Sequence, residues 1–585
     1  MTRVTVAALF LLTSAASAWT PASGKSTAQT QWNKDTSVSK AQYEYASANN
    51  VGTICAQPNW QVYSQTFNLW SLQGLSGAPA PSVLGTDYAD PVGGSTADYV
   101  YYEVTAGSQV SWIFTSGASL DTYLPVGTPV TLSVWLKAVA GAGTMDIGMN
   151  GGTYTSCAIN ATTWTQCTMT QNVVTTGYFV IGHINQVRPA LGVYTWGALA
   201  TVGSTLGKYT VTAGVPLAPA VTGPKGESVT TARSSIAYCY ASGTTNISNG
   251  DMVRLPASAV RVMPGGDGSG GAGYATEPAV LNSISRSEEL ANLAWTNTGN
   301  TITSDYATAP NLSMTADRFQ YTATTGNVVV QVNSTGGVAT VRSVHLKGTT
   351  TSGAVDFCAG GLAGQCTVCN YNPTTWTRCY FFLPSTAVTQ SNTFLGCDVP
   401  TKGGACSAAG DVLVWGFQTE TSVGGKPTTY YPTVAVGATR TVDAVTIAAA
   451  SNITSGADSC YSETFWMENT ASGACTGDYF YAVTTNGPWG AACFSAWGYA
   501  GMVTVGGNTG TNYGSACVPG TTCRIGTVWD WATKTSTMIS DGVIGGSSTN
   551  ALASAGAYGT LTLSGAGVHK QIQIDQSKTK CKRTK

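Results

Sequence analysis

Thr155-Ser-Cys157-Ala-Ile-Asn160-Ala-Thr162-Thr163-Trp164-Thr165-Gln-Cys167 recurs 212 positions later (155 to 367) as Thr367-Val-Cys369-Asn-Tyr-Asn372-Pro-Thr374-Thr375-Trp376-Thr377-Arg-Cys379. Both stretches read T-x-C-x-x-N-x-T-T-W-T-x-C. So dense a match marks a duplicated domain. The spacing pairs Cys157 with Cys167 and Cys369 with Cys379, each bond closing a hairpin and contributing about 2–3 kcal/mol through loop entropy.

The repeat extends outward in the same order. Thr96-Ala-Asp98 through Gly107 aligns with Thr315-Ala-Asp317 through Gly326, Ser133-Val-Trp135-Leu-Lys137 with Ser343-Val-His345-Leu-Lys347, and Val193-Tyr-Thr-Trp196-Gly197 with Val412-Leu-Val-Trp415-Gly416. The offset drifts only between 210 (133 to 343) and 219 (96 to 315), as loop insertions would cause. Each copy holds short alternating strands and turn signals, the texture of a β-sandwich or jelly roll. Trp135, Trp196 and Trp415 lie in alternating apolar runs and are expected in the core. Lys137 and Lys347 read as solvent-facing strand ends.

Charged residues make up only 9% of the 585-residue chain, while hydrophobic residues make up 43%; an ordinary soluble protein has roughly 25% charged residues. Gly, Thr, Ser and Asn replace the missing charge, and Thr, Val, Tyr and Trp favour strands. The expected fold class is all-β. Net charge is −1 with no long block of either sign, which argues against nucleic acid as a partner. Residues 1–18 have the positive start, short apolar run and small-residue close of a secretory signal peptide, with cleavage expected after Ala18. No other segment reads as a transmembrane helix. The 16 cysteines fit an oxidising compartment.

The expected organisation is a signal peptide (1–18), an N-terminal segment (19–58), a first jelly roll (59–215), a Gly-rich linker or irregular region (216–282), a second jelly roll (283–440), a third β-sandwich (441–580) and a basic tail (581–585). The linker includes the glycine-dense stretch Met263–Gly273. Asp267 within it lacks the further ligands a calcium site needs, so no cofactor or metal is expected. The best helical window, Arg286–Leu293, is short. Strands are expected at Ser462–Trp466, Ala492–Trp497, Arg524–Trp529 and Gly559–Leu563, and Asp541-Gly542 is expected to form a hairpin turn.

Arg286-Ser-Glu-Glu-Leu-Ala-Asn-Leu-Ala-Trp295, Val414-Trp415-Gly-Phe-Gln418-Thr-Glu420 and Pro427-Thr-Thr-Tyr430-Tyr-Pro432-Thr433 together resemble the carbohydrate-binding-module-like jelly roll of phage tail and head-spike proteins and of some secreted bacterial proteins. The resemblance covers about 280–440 well. Residues 60–215 resemble it more faintly, with no Y-x-P-T close. The C-terminal unit is similar in order to concanavalin A-like or laminin-G-like sandwiches. The resemblance implies an exported, surface-exposed carbohydrate-binding or adhesion protein, lectin-like and without chemistry, whose partner is a polysaccharide or cell-surface glycan. A structural surface or virion-appendage component that self-associates is the alternative, and a polysaccharide-degrading enzyme the second.

Sugar rings stack on indole and phenol faces while amides and carboxylates take their hydroxyls. The candidate binding residues are Trp489, Trp497 and Tyr499, read as a loop cluster, and Trp164 and Trp376 beside the repeated turn. Cys397 and Cys406 form a candidate local pair; the partners of Cys55, Cys239 and Cys581 are not readable. Cys366-Thr-Val-Cys369 has redox spacing but no thioredoxin-like surroundings. No catalytic residues are assigned. Glu463 and Asp478 are a weak carboxylate pair, there is no G-x-S-x-G elbow, and His183, His345 and His569 are scattered.

Overall fold

The computed structural model describes residues 55–448 apart from 107–108, 116–118, 185, 223–227, 242–245, 265–271, 323–326, 333–338, 360–364, 385–391, 398–408 and 422–425. It also gives the strand backbones Gln42–Glu44 and those between 459 and 575. The architecture is all-β, as the composition demands. The helices among the described residues are two short 3-10 turns, Phe67–Leu69 and Leu120–Thr122, and the window 286–293 is a run of turns. No described helix is long and apolar enough to cross a membrane.

The first repeat is two five-stranded antiparallel sheets around one core. One sheet runs Ser71–Leu75, Val110–Phe114, Phe179–Ile184, Ala142–Met149, Tyr154–Asn160. The other runs Ser82–Tyr88, Ala97–Tyr102, Leu191–Val202, Pro129–Ala138, Thr165–Asn172. Alternation along Pro129–Ala138 turns Val130, Leu132, Val134, Leu136 and Ala138 into the core, where they meet Ile113, Ile147 and Phe179 of the opposite sheet. The second repeat has the same strand order in Thr296–Thr298, Asn327–Val332, Asn392–Cys397, Gly353–Ala359, Cys366–Tyr371 and in Thr301–Ala307, Ala316–Tyr321, Gly410–Thr421, Thr340–Gly348, Trp376–Leu383.

The copies share side-chain hydrogen bonds as well as topology. Trp196 Nε1 donates to Thr96 Oγ1 at 2.8 Å, and Trp415 Nε1 to Thr315 Oγ1 at 2.9 Å. Asn59 Nδ2 donates to Ala198 O at 3.1 Å, and Asn282 Nδ2 to Phe417 O at 3.2 Å. The Trp-Gly pair has a backbone reason: each glycine sits at a β-bulge with positive φ, 68° at Gly197 and 69° at Gly416.

The repeated cysteine motif reverses the chain between sheets. Asn160 Oδ1 accepts the Thr162 and Thr163 N–H groups at 2.8 and 2.9 Å, and Asn372 Oδ1 accepts those of Thr374 and Thr375, each at 2.9 Å. Cys157–Cys167 and Cys369–Cys379 pair as expected. They do not close hairpins, however. The strand before each turn pairs into one sheet and the strand after it into the other, so each bond clasps the two sheets together. Cys366 bonds Cys358, and Cys55 bonds Cys239. Cys397 is disulfide-bonded; Cys406 lies outside the described residues, as do residues 1–18, Asp267, Asp478 and the basic tail.

The linker expectation for 216–282 does not hold. Val221–Thr222 and Ser228–Thr231 join an eight-stranded sheet with Val445–Ala448, Thr560–Leu563, Tyr479–Thr484, Trp489–Ser495, Gly498–Val505 and Asn508–Tyr513. Val262–Pro264 and Ala272–Thr276 join a second with Gly567–Asp575, Ser459–Met467, Thr522–Asp530, Thr535–Ser540 and Val543–Ser548, and Gln42–Glu44 pairs with Gly567–Asp575. Ser540 stands opposite Val543, on either side of Asp541-Gly542. Within the interposed segment, Ala237–Tyr240 and Met252–Leu255 form a small antiparallel pair.

Buried charges fix that segment. Arg233 bonds Asp443 at 2.7 Å, Arg261 bonds Glu277 at 2.6 Å and also Asp443, and Arg440 bonds Glu277 at 2.5 Å. Burial alone would raise the Glu277 carboxyl, but Arg261 and Arg440 outweigh it and hold it below the usual range. Glu277→Ala strips one carboxylate from two buried guanidinium groups. Urea unfolding should show a loss of about 3–5 kcal/mol.

Asp98 and Asp317 also occupy matching sites, and their carboxylates accept the Phe67 and Leu290 N–H groups, both at 2.6 Å. Burial pushes Asp98 up to about 6 and Asp317 up to about 7. A raised folded value means that stability is present below the unfolded value of about 3.9 and is lost as pH rises through the folded one. Buried His183 and His345 are lowered, chiefly by desolvation, and act in the opposite sense; they are common to wild type and variant. Denaturant titrations between pH 4 and about 7.5 should therefore show Asp98→Asn/Asp317→Asn gaining stability relative to wild type as pH rises.

Candidate functional site

The first repeat presents a row of aromatic rings on the outer face of its Ser82–Tyr88 sheet. In Ala97–Tyr102, Val100 and Tyr102 point into the core, so Tyr99 and Tyr101 point out. The same alternation puts Tyr194 and Trp196 outside on Leu191–Val202, and Trp135 and Lys137 outside on Pro129–Ala138. Register brings them together: Tyr99 stands opposite Tyr194 and Tyr194 opposite Lys137, while Trp196 stands opposite Trp135 and Trp135 opposite Gln166. Tyr88 joins from the edge strand.

The rings of Tyr88, Tyr99 and Tyr194 form a triangle with centroid separations of 6.0, 5.0 and 5.8 Å. Two glycines let rings lie close over the backbone. A Cβ on Gly192 would stand 2.8 Å from the Tyr99 ring, and one on Gly85 2.9 Å from the Tyr88 hydroxyl. Tyr88, Tyr99, Tyr101, Tyr194 and Trp135 are all half-buried. Partial burial, then the neighbouring tyrosines, raise the Tyr99 hydroxyl, so this phenol remains a neutral donor at ordinary pH. Gln166 Nε2 donates to Ser133 Oγ at 3.1 Å at the rim. Chemically, the face offers flat apolar rings edged by hydroxyls, one amide and one ammonium.

Trp196 lies on this face but is buried beneath Tyr209, with ring centroids 4.7 Å apart. Burial pushes the Tyr209 hydroxyl up to about 12. The expectation that Trp135 is core is thus corrected: it is half-buried on the outer face. Trp415 is buried as expected.

In the second repeat the corresponding face is covered. Tyr238, Tyr240, Met252 and Leu255 of the interposed segment pack on Trp376, Trp415 and Tyr430. Asn246–Ile247 pairs beside Trp376–Leu383 as an added edge strand, and Trp376 Nε1 donates to Asn249 Oδ1 at 2.7 Å. Trp376 is 0% exposed, which removes it as a ligand residue. In the first repeat, Thr165–Asn172 is itself the sheet edge, and Trp164 remains half-buried.

Of the other candidates, Trp489 opens the strand Trp489–Ser495 opposite Thr504, rather than lying in a loop, because its segment pairs along seven residues. Tyr499 lies in Gly498–Val505 opposite Phe494, and Trp497 falls outside the described residues. Sequence reading missed Tyr88, Tyr99 and Tyr194; the available signal was the alternation of Asp98-Tyr-Val-Tyr-Tyr102 beside Val193-Tyr194-Thr-Trp196. Among the described residues no group of His, Cys, Asp and Glu could hold a metal.

No family model matches the chain, and no curated protein matches it. Among solved structures, it is similar to the N-terminal CBM22-1–CBM22-2 tandem domain of Paenibacillus barcinonensis Xyn10C, with 8% identity and a TM-score of 0.19 over 64% of this chain and 100% of that one. The 7S globulin of Momordica charantia follows at 7% identity and a TM-score of 0.12, over 61% and 82% of the two chains. A deletion mutant of Bacillus subtilis oxalate decarboxylase OxdC gives 9% and 0.11 over 66% and 80%. Scores this low carry no argument about function; the fold rests on the strand pairing itself.

Folded protein treated with N-bromosuccinimide should be oxidised at Trp135 and Trp164 while Trp376 and Trp415 are spared. Peptide mass mapping reads the order, and early oxidation of Trp376 would contradict its cover by Asn246–Asn249.

Proposed function

We propose that this is an exported, non-catalytic glycan-binding protein that uses the outer aromatic face of its first repeat. One observation carries the reading: Tyr88, Tyr99, Tyr194 and Trp135 stand half-exposed side by side, whereas the duplicate with the same fold has this face buried. Covering the apolar faces of such rings contributes about 25 cal/mol per Å² removed from water, enough for a weak site. The second repeat serves as a structural partner of the interposed segment, so avidity does not come from two like faces. The two eight-stranded antiparallel sheets that the C-terminal unit forms together with Gln42–Glu44 and strands of 221–276 support its reading as a lectin-like sandwich. The disulfides are in keeping with export.

Glycan-array binding with the full chain tests the proposal. Wild type should bind, and Tyr194→Ala or Trp135→Ala should weaken binding about tenfold without changing the thermal midpoint by more than a few degrees. A wild-type protein that binds no glycan, or variants that bind as wild type does, would overturn it.

A further inference from the structure

The other sheet of the first repeat also carries aromatics on its outer face, and they lie on the far side of the core from the site above. Along Val110–Phe114, Ile113 points into the core, so Trp112 and Phe114 point out. Four rings run in a ribbon. Tyr178 and Phe114 centroids are 5.5 Å apart, Phe114 and Trp112 6.4 Å, and Trp112 and Tyr154 6.4 Å. Trp112 forms the floor at 7% exposure, and Phe114, Tyr154 and Tyr178 are half-buried.

A row of hydrogen-bonding residues crosses all five strands beside the ribbon. Gln73 stands opposite Trp112, Trp112 opposite Gly182, Gly182 opposite Asp146 and Asp146 opposite Ser156. Gln73 Oε1 accepts the Trp112 indole N–H at 3.2 Å. Asp146 accepts from Ser156 Oγ at 2.6 Å and from Arg188 at 3.0 Å. Arg188 also donates to Ser156 Oγ at 3.1 Å, which ties the carboxylate, the hydroxyl and the guanidinium into one rim. Gly182 has no room for a side chain: a Cβ there would stand 2.6 Å from Trp112 Cα and Cβ.

The duplicate shows that these rings are not needed to build the sheet. Its matching row reads Thr298, Val328, Gly396, Asp356, Val368, and the next row reads Thr296, Val330, Phe394, Cys358, Cys366. The glycine and the aspartate persist. Trp112 and Phe114 become valines, and the Gly148–Tyr154 pair becomes the Cys358–Cys366 disulfide. The same architecture thus stands with two valines, a disulfide and a single ring, Phe394 in the place of Val180, where the first repeat carries a four-ring ribbon and its polar rim.

We propose that this second face is a separate binding site for a neutral polysaccharide chain, so that one domain holds two chains on opposite sides and cross-links them. The inference rests on the glycan-binding reading given above. Neutrality follows from the rim: Arg188 is paired with the buried Asp146, which leaves no net charge to favour an anionic sugar, and the half-buried Gln73 edges the ribbon with an uncharged amide. The first face differs in presenting Lys137.

The test uses the full chain with soluble neutral polysaccharides (a linear β-glucan, a xylan and a galactomannan). Affinity electrophoresis reads binding, and turbidity reads cross-linking. Wild type should retard on at least one polymer and cloud it. Phe114→Ala/Tyr178→Ala, which spares the buried floor Trp112, should still be retarded but lose at least fivefold of the turbidity. Tyr194→Ala should do the same from the opposite face, and the combined variant should not bind. Near-UV circular dichroism confirms that each variant is folded; should Phe114→Ala/Tyr178→Ala misfold, Tyr154→Ser replaces it. Retardation without turbidity in wild type, or turbidity unchanged in the folded second-face variant, overturns the second site while leaving the first intact. A dimer by light scattering that this variant dissolves would make the face a self-association surface and also overturns it. Absence of binding by wild type sinks both readings.

Discussion

The cluster of Arg233, Arg261 and Arg440 with Glu277 and Asp443 is the constraint on which the rest of the molecule depends. Each of these side chains is at most 2% exposed. A chain with so few charges places five of them out of water, where each ion must be matched by a partner or by backbone oxygen. Arg233 completes its bonding with the carbonyls of Pro256 and Ala259, and Arg440 with that of Pro278. Residues from 233 to 277 are thereby tied to residues 429–443, next to the end of the second jelly roll. With both ends of the interposed segment fixed, its Tyr238 and Tyr240 lie against Trp415 and Tyr430, and Cys55–Cys239 adds a covalent tie.

Fixing that segment is what separates the two copies. They share topology, inter-sheet clasps, bulge glycines, capped asparagine turns and indole hydrogen bonds. They differ in what lies outside the sandwich. Gln166 and Arg378 both donate to the equivalent serine, at 3.1 and 3.0 Å, yet the first is exposed and the second buried. Duplication supplied a scaffold whose core needs only its inward residues. The outward residues were then free to take different roles, rings in one copy and a packing surface in the other.

The fold class and the duplication were legible because both depend on local chemistry. The asparagine turn, the cysteine spacing and the Trp-Gly bulge each write themselves into a few adjacent residues. What lay beyond reach depends on partners distant in sequence. Tyr99, Tyr194 and Tyr88 become a platform only through strand register, and Trp376 becomes core only because Asn246–Ile247 arrives beside it. The close of the first repeat also escaped notice. Tyr209-Thr-Val-Thr212 performs the task of Tyr430-Tyr-Pro-Thr433, with Tyr209 reaching Ser64 Oγ at 3.1 Å as Tyr430 reaches Ser287 Oγ at 2.7 Å. Val211 in place of a proline hid the likeness while the hydroxyl kept its role. The segment 216–282 reads as a linker from the glycine density of 263–273 alone, although strands flank that stretch on both sides.

The sulfur bridges between the two sheets of each sandwich carry a mechanical consequence. The asparagine turns at Asn160 and Asn372 lie at exposed positions, the kind of place where a protease first cuts. A nick there leaves the severed ends still joined, Cys157 to Cys167 and Cys369 to Cys379. Each sandwich could be opened at such a turn and yet not come apart.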